Sequence, residues 1–179
     1  MLNHGNNGSN WQWSVDKNSE CLQLHLSNDI CFPTQFKANE LLNTDVINKN
    51  FSTSDAFVYS LYRDKFKEIP INEEQAFTLA ISATISSQYL KPLATKSWYF
   101  ALAQNDLNLP IKQGDWVVLN AETEAVYLVL DTSEHASNVM LITKAHKIDD
   151  NKTFYNGKTL RVHNDRMLPI LYELQEHQL

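Results

Sequence analysis

The chain has 179 residues, 43% of them hydrophobic and 20% charged, with 8 Phe, 7 Tyr and 4 Trp; this composition supports a packed core and excludes a disordered chain. Its formal charge is −6, and 7 basic against 10 acidic residues in 1–95, with 8 against 11 in 96–179, leave both halves equally acidic. No basic half exists to meet a phosphate backbone or an anionic bilayer, so neither nucleic acid nor membrane is an expected partner.

Two cysteines, Cys21 and Cys31, are too few for a disulfide framework. The opening MLNHGNNGSN has no basic n-region and no apolar run, and no window approaches 18 uninterrupted apolar residues. A soluble cytoplasmic protein is expected. Residues 1–9, rich in Asn, Gly and Ser, are expected to be flexible.

WQWSVD and CLQLHLS alternate apolar and polar side chains at period two, which predicts a hairpin closed by DKNSE. Trp11, Trp13 and Val15 share one face, as do Leu22, Leu24 and Leu26. The SND turn leads to a short third strand at about Ile30–Phe32, which Pro33 is expected to end. A short helical stretch, QFKANELL, is predicted after Thr34. A helix follows over FSTSDAFVYSLYRDKFKEI, capped by Thr53 or Ser54, with Phe57, Leu61 and Phe66 at roughly helical spacing.

A longer helix is predicted over IPINEEQAFTLAISATISSQYL, with Asn72 as N-cap and Glu73 and Glu74 at its positive end. Phe77, Ile81, Ile85 and Tyr89 recur every four residues, and Leu79, Ala80 and Ala83 widen the stripe, so this helix is expected to be buried against a sheet. Pro92 stops it. The period then changes: SWYFALA reads as extended, and strands are expected at Trp116–Leu119, Ala125–Leu130, Val139–Ile142 and around Asn156–Gly157. The expected fold class is α+β. A small antiparallel sheet with helices forms an N-terminal domain at 1–93, packed on a twisted, barrel-like β domain at 94–179.

Signals for chemistry are sparse. The six histidines, His4, His25, His135, His146, His163 and His177, form no HExxH or other ligand pair, so no metal is expected. With four glycines there is no phosphate-cradling loop, and GxSxG, GxGxxG and the P-loop are absent. Asp149 and Asp150, followed by Asn151, read as turn chemistry. Neither catalysis nor a cofactor is expected. In HNDRMLP an Asx-type turn is expected at Asn164-Asp165, with Arg166 pinning it through a bidentate contact to a carboxylate.

YLKPLATKSWYF, residues 89–100, is the most distinctive stretch. Lys91 near a helix C-terminus complements the dipole, but Lys96 lies beyond it, so the dipole does not explain Lys96. Two cations beside Trp98 suit docking to an acidic protein surface.

These residues, with NWQW and Asp16, LHLSN at Leu24–Asn28, Phe32 and Phe36, DAFVYS at Asp55–Ser60, the EEQA-led helix and NDR, occur in an order that resembles the ZapC family of cell-division proteins over residues 10–169. The resemblance implies a cytoplasmic, non-enzymatic factor without cofactor, monomeric or weakly self-associating. Its partner would be FtsZ, the tubulin-like division GTPase, held by its acidic filament surface or its tail. Such a factor bundles FtsZ filaments laterally and stabilises the ring at midcell. On this reading Lys91, Lys96 and Trp98 contact FtsZ, and Leu24 and Leu26 line an apolar pocket or pack in the core. Met167-Leu168-Pro169 depart from the basic residue expected after NDR, and 103–160 match only in pattern. A small-ligand or peptide-binding module using the C-terminal barrel is the alternative.

Overall fold

The computed structural model describes residues 10–27 and 29–179. The expected flexibility of 1–9 and the turn through Asn28 lie outside the described residues. The chain is α+β. It has two α-helices and antiparallel sheets of three, five and two strands. The residues divide into two compact units, one running to Tyr62 and including Thr84–Pro92, the other made of Arg63–Ala83 and Leu93–Leu179.

In the first unit β1 (Gln12–Val15), β2 (Cys21–Ser27) and β3 (Ile30–Lys37) form an antiparallel meander. Trp13 lies opposite Leu24, and Leu24 opposite Phe32. The alternation seen in the sequence places Trp13, Leu22 and Leu24 in the core, with Phe36, Leu41 and Phe51. On the free edge of β1 the amides of Trp13 and Phe51 and the carbonyls of Lys49 and Trp11 pair at 2.9 and 2.7 Å.

Pro33 does not end β3. The strand continues to Lys37, because it lies at the sheet edge, where a missing N–H costs no ladder bond, and it pairs with Gln23 beside a register shift. The helix expected after Thr34 is therefore strand, followed by one 3-10 turn at Ala38–Glu40.

Helix α1 spans Thr53–Lys65 and α2 spans Glu73–Gln88; the division between the units falls inside both. The cap of α1 is Ser52 rather than Thr53 or Ser54. Its hydroxyl accepts the Asp55 N–H at 3.0 Å, while Asp55 accepts the Ser52 N–H at 2.8 Å, a reciprocal capping box. Asn72 caps α2 as predicted, exchanging bonds of 2.8 and 3.1 Å with Gln75. Phe77, Leu79, Ala80, Ile81, Ala83 and Ile85 are all buried.

In the second unit β4 (Trp116–Asn120), β5 (Glu124–Thr132), β6 (Ala136–Leu141), β7 (Ala145–Asp149), β8 (Lys152–Tyr155), β9 (Thr159–His163) and β10 (Leu168–Pro169) build two sheets. The five-stranded sheet runs β10-β4-β5-β6-β9, and β7-β8 is a separate hairpin. Ala125–Leu130 of β5 is buried without interruption, the pattern of a strand covered on both faces. Gly157 closes the β8–β9 turn at φ 83°, a conformation open to glycine.

The barrel expected for the C-terminal half is not closed. At one edge β10 has two residues and ends on Pro169, which lacks a donor; at the other, β9 takes Thr95 as a parallel bridge and donates nothing to β10. SWYFALA is likewise not extended at its start: Ser97–Tyr99 form a 3-10 turn.

Candidate functional site

Lys96–Phe100 is anchored from several sides. The Lys96 N–H donates to the Arg161 carbonyl at 2.8 Å. The Ser97 hydroxyl accepts the His163 N–H at 2.8 Å. Phe100 is buried, stacked on His146 at 5.7 Å, and its carbonyl accepts from Arg166 Nη1 at 3.1 Å. With Ser97 and Phe100 directed inward, the residue between them that carries an indole, Trp98, is left 67% exposed.

An exposed Trp is costly to hydrate and is a frequent contact residue. Here it is flanked by charge. Lys96 Nζ lies 5.0 Å from the Trp98 ring centroid, within cation–π range. The Tyr99 ring is 5.4 Å from Trp98 and rests edge-on against Phe154 at 5.7 Å. Lys152 Nζ, from the first residue of β8, donates to the Tyr99 hydroxyl at 2.6 Å and sits 4.6 Å from the Tyr99 ring centroid. That ammonium bond is the main cause that holds the Tyr99 hydroxyl below its ordinary pKa. Lys96 and Trp98 are thus brought together. Tyr99 and Lys152, absent from the sequence-derived set, complete a cationic and aromatic surface.

Lys91 belongs to the first unit. Its backbone N–H donates to the Glu40 carbonyl at 2.9 Å and its Nζ to the Asn39 carbonyl at 2.7 Å, so it closes the 3-10 turn of residues 38–40 while remaining exposed. Leu24 is fully buried, with Trp13 and Phe32 as its partners on the neighbouring strands, and Leu26 is half-buried. An apolar groove of this unit, about 320 Å³ in volume, is lined by Trp11, Phe51, Ala56, Phe57 and Tyr59 rather than by Leu24 and Leu26. Phe57 and Leu61 are 71% and 51% exposed, so their helical spacing marks an outward stripe. In the second unit a groove of about 750 Å³ is lined by Ile69, Pro70, Trp116, Ile170 and Leu174.

Other signals resolve into brackets. Asp55, fully buried, accepts the Trp13 indole N–H at 3.2 Å and the Tyr89 hydroxyl at 2.5 Å, besides the Ser52 N–H. Burial first, then this carboxylate, raises the Tyr89 pKa. NWQW, DAFVYS and YLKP therefore meet at one side chain. His146 is buried; the Tyr127 hydroxyl lies 2.9 Å from Nδ1 and the Thr123 carbonyl 2.7 Å from Nε2, and a carbonyl can only accept, so Nε2 carries a proton. Burial lowers its pKa.

Arg166 pins the Phe100 carbonyl and pairs with its neighbour Asp165 at 3.1 Å; it does not grip a carboxylate bidentately. The turn at Asn164 is held instead by its own side chain, which accepts from Ser137 at 2.7 Å and donates to Ser133 at 3.0 Å. Asp149 accepts the Asn151 N–H at 2.8 Å, as turn chemistry requires. Cys21 lies opposite Lys37 and Cys31 opposite His25, so the two thiols do not face each other. Among the described residues no group of three or more His, Cys, Asp or Glu side chains is arranged to hold a metal, and no helix is long and apolar enough to cross a membrane.

Comparison with known proteins covers almost the whole chain. Residues 6–91 match the family "Cell-division protein ZapC, N-terminal", and residues 92–173 match "Cell-division protein ZapC, C-terminal". The chain is similar to the cell division protein ZapC of Musicola paradisiaca, with 30% identity covering 90% of this chain and 87% of that protein. The corresponding protein of Proteus mirabilis is 29% identical, covering 88% and 86%. That of Vibrio cholerae is 27% identical, covering 88% and 87%. The fold, the ordered motifs meeting at Asp55 and these matches place the chain in the ZapC family of cell-division proteins.

Proposed function

We propose that this protein binds FtsZ filaments, draws them together laterally and stabilises the division ring at midcell, acting in the cytoplasm without catalysis or cofactor. Membership of the ZapC family over residues 6–173 carries the reading. The surface at Lys96 and Trp98 supports it: a rigid turn that presents an indole beside an ammonium, on a chain whose net charge is −6. FtsZ surfaces are acidic, so Lys96 and the exposed Lys91 supply attraction, and Trp98 supplies a desolvated contact. Each contact is weak. Repetition along a filament converts weak contacts into avidity.

The test is co-sedimentation with cognate FtsZ polymerised by GTP. Joint pelleting is expected at low salt, with release at high salt. Lys91→Glu with Lys96→Glu, in a protein that still unfolds at the wild-type temperature, is expected to stay in the supernatant. Equal pelleting of that variant would remove the electrostatic part of the reading. A second reading, a small-ligand module, has one observation in its favour, the groove of about 750 Å³ lined by Trp116; a rise in Tm with a metabolite library would reveal it.

A further inference from the structure

We propose that Tyr99 and Lys152 form the carboxylate-recognising half of the docking surface, which takes an extended acidic peptide whose carboxylates alternate with apolar side chains. The inference rests on the filament-binding reading for the source of that peptide, and on the geometry of the surface for its chemistry.

The second unit spends its cations in different ways. Arg63 pairs with Glu73, Lys65 with Glu68, Lys67 with Asp64, and Lys147 with both Glu122 and Asp150. Lys96 and Lys152, like Lys112, Lys144, Lys158 and Arg161, have no carboxylate within ion-pair distance among the described residues, and what sets Lys96 and Lys152 apart is an aromatic ring centroid at 5.0 and 4.6 Å. Asp149 is the register partner of Lys152 in the β7–β8 hairpin; its carboxylate accepts the Asn151 N–H at 2.8 Å and makes no ion pair with Lys152. Lys152 gives one donor to the Tyr99 hydroxyl at 2.6 Å. An ammonium has three, so two are left for a ligand. The Tyr99 oxygen, already receiving from Lys152, has its own O–H to give. Lys96, Trp98, Tyr99 and Lys152 therefore offer hydrogen-bond donors and positive charge on either side of two adjacent rings whose centroids lie 5.4 Å apart.

This arrangement selects among anions. A nucleobase stacks on an open aromatic face. Here an ammonium lies 5.0 Å from the Trp98 centroid and 4.6 Å from the Tyr99 centroid, the two rings are inclined at 50°, and the chain's net charge of −6 disfavours a polyphosphate backbone. A carboxylate needs no open ring face. It approaches the ammonium and the phenol while a neighbouring apolar side chain covers the Trp98 edge. The anchored backbone of residues 96–100 gives this surface little ordering entropy to lose on binding.

Two measurements separate the proposal from the reading beneath it. Fluorescence anisotropy of a labelled synthetic peptide rich in Asp and Leu is expected to show salt-sensitive binding. Lys152→Gln is expected to weaken it roughly three- to fivefold, Tyr99→Phe less, and Lys147→Gln not at all. A peptide that does not bind, that binds Lys152→Gln as well as wild type, or that is outcompeted by a labelled oligouridine of equal charge overturns the proposal. Co-sedimentation with FtsZ is scored independently. Peptide binding through Lys152 without FtsZ pelleting keeps this site and removes the filament as its partner, whereas FtsZ pelleting indifferent to Lys152→Gln keeps the partner and removes this site. Circular dichroism and Tm confirm that each variant is folded.

Discussion

His146 gives the fold a pH dependence near neutrality. Its ring is buried between the Tyr127 hydroxyl and the Thr123 carbonyl, and burial holds its pKa below the ordinary 6.5. Above pH 6.5 the ring is neutral in both folded and unfolded chains, and its contribution is complete. As pH falls below 6.5 the unfolded chain takes a proton that the folded ring refuses, so stability drops with pH. The Tm of the wild type is therefore expected to fall between pH 6.5 and 5, and His146→Leu to show a shallower fall over the same range. Parallel slopes for the two proteins would remove His146 as the cause. No sequence signal identified this residue, because its partners lie 19 and 23 positions away and neither forms a motif with it. Lys96 and Trp98 were legible because a single turn joins them. Lys152 was not, because 53 positions separate it from Tyr99.

At the level of elements, local chemistry was readable where it acts alone. Asn72 caps α2 as its side chain predicts, and Phe77, Ile81 and Ile85 of the expected stripe are buried, while Tyr89, just past the helix, is half-buried. Reading failed where a neighbour decides the outcome. Pro33 looks like a strand end, yet an edge position makes its missing donor harmless. The α1 cap moved to Ser52 because Asp55, three residues on, completes the box and also binds Trp13 and Tyr89. Asp55→Ala is therefore expected to remove a cap and to strand the buried Trp13 donor and the half-buried Tyr89 donor at once. The loss should be about 3 kcal/mol or more, measured by urea unfolding. A loss below 1 kcal/mol would show that water replaces the carboxylate.

For the whole molecule, α+β was legible from the change of period after Pro92, but closure of the sheet was not. Strand periodicity does not encode which edges meet, and here one edge ends in Pro169 while the other is taken by Thr95. A division into domains at residue 93 is a proposal that a fragment tests. Trp116 receives Lys65 at 5.1 Å and Phe66 at 6.1 Å, and donates its indole N–H to Glu68 at 3.2 Å. Residues 94–179 alone lack all three partners. That fragment is expected to be less stable than 63–179 by about 2 kcal/mol or more, with red-shifted Trp emission. Equal stability would favour the division at 93.

The anchorage of residues 96–100 also has a mechanical meaning. On the proposed filament-linking reading, tension applied at Trp98 enters the fold through this turn. Two hydrogen bonds tie it to β9, a third holds the Phe100 carbonyl, and the Phe100 ring is locked in the core. Load is shared by a sheet edge and a packed ring, while the outer contact has only exposed side chains to resist it. Under a pull at Trp98 a contact made by exposed side chains is the weaker link, so it parts before the anchored turn unfolds.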